Sequence, residues 1–368
     1  MASDEELKYR IALTLLPGIG DVNAKTLVAY CGGAEAVLRE KRATLEKIPS
    51  IGAITAAKIQ PDTVLGRAEA EVEFVRKYNI NARFYLDSDY PSRLKHAEDA
   101  PVMLYSKGPA DLSAPRMVSI VGTRKATPYG KKVTEQIVDV LTAQGIPVVS
   151  GMAYGIDICA HRACIKGGLP TVGVLAHGLD RIYPGNHRSA AEAMAKTGAL
   201  VTDFISDTNP DAPNFPKRNR IIAGLTDVTV VVESKRKGGS LITADIANSY
   251  SRDVMAIPGR VDAETSEGCH FLIRNDRARL ITSGEDLLYY MSWDEPAKPT
   301  WTIQPELFKD LSTEEAQLVK VLKDKGQLSI DSLALEAKLA TSVVATSLLN
   351  LEFSGVVRSL PGKIYELN

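Results

Sequence analysis

Lys217, Arg218 and Arg220 crowd one short stretch, Asn214-Phe-Pro-Lys-Arg-Asn-Arg-Ile-Ile-Ala-Gly-Leu225, with Phe215 just ahead of them and Asn219 among them. Cations hold phosphates and a flat ring stacks on a base, so this mixture suits nucleic acid. Glycine-bearing turns supply the complementary chemistry at Val121-Gly-Thr-Arg124, Ser150-Gly-Met-Ala-Tyr-Gly155 and Lys237-Gly-Gly-Ser240. In the first, Gly122 admits a close ligand, Thr123 offers a hydroxyl and Arg124 a two-pronged phosphate contact. In the second, Ser150 and Gly151 precede a helix start whose amides can accept an anion. In the third, Gly239 frees backbone amides, while Ser240 and Thr243 can bond phosphate oxygens or cap the next helix. Asp157 and His161 stand one helical turn apart, which places them on one face. A structural hydrogen bond between them is favoured over a catalytic pair, because no nucleophile accompanies them.

Other chemistries lack their residues. The turns are neither the three-glycine dinucleotide fingerprint nor a Walker A loop, and no GxSxG elbow, acidic cluster or metal-ligand spacing occurs. No catalytic residue, metal or cofactor is therefore expected. Cys31, Cys159, Cys164 and Cys269 form no CxxC pair and read as reduced thiols of a cytoplasmic protein. The start, Met1-Ala-Ser-Asp-Glu-Glu6, is acidic with no signal-like apolar core behind it, and no apolar run is long enough to cross a bilayer. A formal net charge of −1 means that any nucleic-acid site must concentrate its cations locally.

The turns must be brought together by a sheet. Two short strand-like runs, 82–86 and 102–105, are separated by loop residues, and further runs then recur at 117–121, 147–149, 171–175, 200–203, 228–232, 254–257 and 280–282. Helical patterns such as 129–144, 156–165, 190–196 and 241–250 separate them. This alternation predicts right-handed βαβ units and a parallel sheet covered on both faces, with ligands at the carboxyl ends of its strands. Residues 1–78 read as all-helical, with hairpins at Leu16-Pro-Gly-Ile-Gly20 and Ile48-Pro-Ser-Ile-Gly52. Those turns either face a phosphate or use glycine only for its permissive backbone. Residues 293–309, with Pro296, Pro299 and Pro305, read as a linker. Residues 310–368 hold three helical patterns and a terminal hairpin, a winged-helix arrangement. Its third helix, 341–353, carries no Lys or Arg, which favours protein contact or a structural role over DNA reading.

In order, these motifs resemble those of the DNA processing protein A (DprA/Smf) family. The matching segments are Ser119-Ile-Val-Gly-Thr-Arg124, Ser150–Asp157 with Ala160-His161, Gly178-Leu-Asp180 leading to Tyr183-Pro184, Phe215–Leu225, Gly239–Ala244 and Ile257-Pro-Gly259. The resemblance spans roughly residues 80–292. It implies an α/β fold with an extended Rossmann-like domain over 79–292, flanked by a SAM-like helix-hairpin-helix domain and a winged helix. It further implies non-catalytic binding of single-stranded DNA, homodimerisation through the Rossmann-like domain, and delivery of the strand to the RecA recombinase in natural transformation or recombination. By the same match, Arg124 contacts phosphate, and Phe215, Lys217, Arg218, Asn219 and Arg220 line the DNA pocket. Gly122, Thr123, Ser150, Gly151, Gly239, Ser240 and Thr243 then donate from its rim. Val232-Glu-Ser-Lys-Arg-Lys-Gly-Gly-Ser240 is more basic than the family pattern, which strengthens a phosphate-facing edge. The alternative on a similar sheet is a nucleotide phosphoribohydrolase. Its Pro-Gly-Gly-x-Gly-Thr run and following catalytic Glu are not matched at Lys237–Thr243.

Overall fold

Short runs rich in Val, Ile, Leu and Ala form the central strands, and most are buried along their whole length because helices cover both faces. In the computed structural model, which describes residues 3–294, 311–354, 356–360 and 364–367, they build a nine-stranded sheet. The strands are β1 Asn81–Phe84, β2 Met103–Lys107, β3 Val118–Val121, β4 Val148–Ser150, β5 Thr171–Val174, β6 Ala199–Thr202, β7 Val228–Val231, β8 Asp253–Ala256 and β9 Arg279–Leu280. Their order is β1-β2-β6-β5-β4-β3-β7-β8-β9. From β6 to β9 every pairing is parallel, as the alternating pattern predicts. The β1–β2 and β2–β6 pairings are antiparallel and extend one edge.

Successive side chains point to opposite faces of a strand, and the core divides accordingly. Val118, Ile120, Val148, Val228 and Val230 pack on one face with Ile137, Leu141, Ile156 and Ala160. Those partners come from α8 (Pro128–Ala143) and α9 (Ile156–Gly167), while α14 (Gly284–Tyr290) adds Leu287 and Leu288. Val121, Val149, Val172 and Val231 turn to the other face and meet Ile221, Leu241, Ala244 and Leu272. These belong to α11 (Asn214–Gly224), α12 (Gly239–Ser249) and α13 (Glu267–Arg274). The short α7 (Ser92–Lys95) and α10 (Arg188–Thr197) complete the layers.

Residues 3–78 are helical, as their pattern indicates: α1 Asp4–Leu15, α2 Asp21–Cys31, α3 Ala34–Arg39, α4 Arg42–Leu45, α5 Ala53–Ala56 and α6 Leu65–Lys77. They do not keep a separate core. Ile11, Leu13, Leu27 and Val72 bury against Phe84, Val102, Met103 and Tyr105 of the sheet edge. Polar ties reinforce this seam. The buried Glu71 accepts from Ser206 N at 3.0 Å, and Arg67 donates to Ser206 O at 2.7 Å. Residues 1–294 therefore form one compact unit and 295–368 another.

In the second unit the first described helix is α15 (Thr313–Lys325), opened by the expected capping box between Ser312 and Glu315. The unit continues through α16 (Ile330–Ala337) and α17 (Thr341–Phe353). Strands β10 (Leu328–Ser329), β11 (Val357–Leu360) and β12 (Ile364–Leu367) pair in the order β10-β12-β11. Leu318, Leu322, Leu333, Val344, Leu348 and Leu351 form its core. Linker residues 295–309 and the hairpin turn at Pro361-Gly362 lie outside the described residues. No single described helix is long and apolar enough to cross a membrane.

Candidate nucleic-acid interface

Strand order reverses between β3 and β7, and the loops leaving those strands diverge there to open a crevice. Backbone bonds lock the loops together. Thr123 N donates to Glu233 O at 2.7 Å, and Ile156 N donates to Thr123 O at 3.2 Å. Gly155, the N-cap of α9, makes this crossing possible at φ 83°. A Cβ there would overlap the Thr123 carbonyl oxygen and lie 2.7 Å from the Arg124 carbonyl carbon.

The resulting cleft holds about 600 Å³. One wall is the β3–α8 turn, Gly122 to Arg124; another is the start of α12 with Gly239, Ser240 and Thr243; Lys235 and Lys237 stand at its mouth. Phe215 and Tyr183 form an aromatic wall with ring centroids 6.2 Å apart. The Arg124 guanidinium lies 5.4 Å from the Phe215 centroid, a cation–π arrangement that leaves its N–H groups free for phosphate.

The basic stretch is a helix, α11, and helical geometry divides it. Phe215, Arg218, Asn219 and Ile222 follow the i, i+3, i+4, i+7 rule and face the cleft. Lys217 and Arg220 turn instead to a second cleft, beside Asp21, Asp99 and Asp203. Arg220 is committed there: Nη2 meets Asp203 at 2.5 Å and Nη1 meets Asp21 at 3.0 Å, and it also donates to Asp99 O. Burial lowers its pKa, but Asp203 and Asp21 outweigh burial and raise it on balance.

Arg218 is only 4% exposed. It donates to Gly151 O at 2.6 Å and to Val174 O, so it ties two strand ends beneath the cleft floor. Burial lowers its pKa to about 10. Ser150 is fully buried and donates to Ile120 O at 2.6 Å. Of the residues that the sequence groups into one pocket, Ser150, Gly151, Lys217 and Arg220 are thus not on the cleft lining. Tyr183, Lys235 and Lys237 are on it. The only sequence signals for them are the Tyr183-Pro184 motif and the basic 235–237 run.

Two buried carboxylates lie among the helix starts. Glu233 accepts from Thr127 N at 2.9 Å and Thr127 Oγ1 at 2.6 Å, at the first turn of α8. Asp157, in the first turn of α9, accepts from Gly151 N at 3.1 Å. Burial raises the pKa of Asp157 against the opposing pull of Arg218. The first turn of α12 has neither an acidic residue nor a side-chain cap.

Asp157 and His161 do not bond one another. His161 Nδ1 lies 2.8 Å from Thr171 Oγ1, whose own proton goes to Val148 O, so Nδ1 is the donor. Burial drives the His161 pKa down to about 3. A histidine depressed from its ordinary 6.5 when folded stabilises the fold above that value, and the contribution fades as pH falls towards the folded pKa. Between pH 7 and pH 5 the loss expected from His161 is about 2 kcal/mol. Urea midpoints across that range check it: wild type should lose stability on acidification, and His161→Gln should lose less.

Among the described residues, no group of three or more His, Cys, Asp or Glu is placed to hold a metal. The sequence family model described as DNA recombination-mediator protein A matches residues 81–292, and the DprA winged helix domain matches 304–363. Protein Smf of Synechocystis is 30% identical over 403 residues, spanning 100% of both chains. The DNA processing protein DprA of Bacillus subtilis is 40% identical over 58% of this chain and 71% of its own. The X-ray structure of DprA from Streptococcus pneumoniae aligns with a TM-score of 0.64 at 31% identity, covering 77% of this chain and 97% of that one. DprA from Helicobacter pylori, whose structure was described for its single-stranded DNA binding mode, aligns with a TM-score of 0.54 at 28% identity, covering 59% and 97%. Matched across its sheet domain and its winged helix, and over its full length by a Smf protein, this chain belongs to the DNA processing protein A (DprA/Smf) family.

Proposed function

We propose that the protein is a non-catalytic single-stranded DNA-binding protein that hands the strand to the RecA recombinase during natural transformation or recombination, acting as a homodimer through its sheet domain. The observation that carries this reading is the cleft at the strand reversal. There Arg124 and Lys237, free of carboxylate partners, surround an uncapped helix start beside the Phe215–Tyr183 wall. Phosphates take the amides and cations, and one or two bases stack on the rings with little sequence preference. Duplex binds more weakly, because its bases are not free to unstack. The relative from Helicobacter pylori, named for the same ligand, supports the reading.

Titration of a fluorescent single-stranded oligonucleotide tests it. Wild type should bind in a salt-sensitive way, and Arg124→Ala/Lys237→Ala should weaken binding at least about tenfold with folding intact. Unchanged binding in that variant moves the DNA site elsewhere. Equal affinity for single and double strands at matched salt overturns the reading.

A further inference from the structure

Arg124 lines two depressions. Beyond the Gly155 crossing, a groove of about 580 Å³ runs between α8 and α9 and begins at the same residue. Lys125, Lys131, Arg162 and Lys166 surround it, against only Glu135 and Asp139. All of these side chains are exposed. Some exposed arginines elsewhere pair with nearby carboxylates, as Arg42 does with Glu46 and Arg260 with Asp262. Among the described residues none of the groove's cations does so, although Lys131 and Glu135 stand at the spacing that would allow it. Cations left open along a groove focus a field that attracts polyanions.

The groove also has an aromatic residue at its entrance. Tyr154 is 45% exposed, and its ring stands edge-on to His187 at 4.8 Å. His187 is itself anchored by Met152 O at 2.8 Å. The tyrosine is thus propped where the cleft ends and the groove begins. Arg162 and Lys166, one turn apart on α9, are separated by about 6 Å along the helix axis, comparable to the step between neighbouring phosphates of an extended strand.

We infer that a single strand held in the cleft continues over the Gly155 crossing into the α8–α9 groove, with its phosphates on Lys131, Arg162 and Lys166 and a base on Tyr154. This rests on the single-strand reading of the cleft and extends it from a pocket to a track. Binding should therefore depend on strand length, as it does wherever a basic groove follows a backbone.

The test titrates oligothymidylates of about 4 to about 16 nucleotides against the full chain, wild type and Lys131→Ala/Arg162→Ala/Lys166→Ala. The shortest oligomers should bind both proteins alike. The longest should bind the variant about tenfold more weakly, and its log–log salt slope should be smaller by about 2. Tyr154→Ala should show the same length-selective loss without the change in slope, and replacing the three cations by their Lys or Arg counterparts should restore the slope. Identical length dependence and slope in wild type and triple variant overturn the track. So does a triple variant that loses only an acidic peptide competitor, which would mark the groove as a protein-docking face. Failure of wild type to bind any length instead defeats the reading of the cleft itself, a separate outcome.

Discussion

Arg220→Met is expected to destabilise residues 1–294 by about 3–5 kcal/mol, the usual result of removing one partner from a buried ion pair. Arg220 binds Asp203 at the end of β6, Asp21 at the start of α2, and the Asp99 carbonyl. Without it Asp203, 11% exposed at its side chain, keeps a buried charge with nothing to balance it. Asp21 also receives Val102 N at 2.8 Å, so the loss spreads into the seam that holds the amino-terminal helices to the sheet edge. Denaturant midpoints measure the total. Hydrogen exchange locates it, with protection falling first in α2 and the 96–102 segment. A loss below about 1 kcal/mol would mean that the pair is no better than an exposed one.

Gly155→Ala is the second large effect. Two penalties coincide at this residue: a positive φ of 83° and a carbonyl oxygen in the space a Cβ needs. The strained backbone alone costs about 1–3 kcal/mol, and the overlap forces the β3–α8 turn away from α9. Gly145 supplies the control, since it has φ 64° with nothing within 4 Å of a Cβ. Gly145→Ala should cost only about 1–2 kcal/mol and leave oligonucleotide binding unchanged. Gly155→Ala should cost more and, by displacing Thr123 and Arg124, also weaken binding in the fraction that still folds. If the two variants behave alike, the crossing of the loops does not hold the cleft in shape.

Much of this was legible in the residues. Buried apolar runs between turn residues located the strands, and the glycine turns marked their carboxyl ends, because period and punctuation are local signals. The direction taken by each cation was not. Lys217, Arg218 and Arg220 look like one patch when read as a string. Helical rotation sends Arg218 beneath the cleft and the other two to a different depression. Pro216 near the start of α11 and the cations in its first turns obscured that period. Nor could spacing reveal that Asp157 and His161 would each find another partner, Gly151 N and Thr171 Oγ1, since both partners come from outside α9. Long-range pairing of this kind is decided by tertiary packing.

Glu233 and Asp157 also determine what the crevice can accept. In effect the chain carries its own counter-ions at the openings of α8 and α9, and these neutralise two helix dipoles that a small nucleotide would otherwise use. Of the three helices that follow β3, β4 and β7, α12 is the one whose positive pole is left unspent. With a single vacant seat for an anion and basic surface leading away from it, the architecture has one point of purchase and no enclosure. A ligand that ends at its second phosphate gains little from such a layout, whereas one that repeats its charge along a chain is gripped once and then guided.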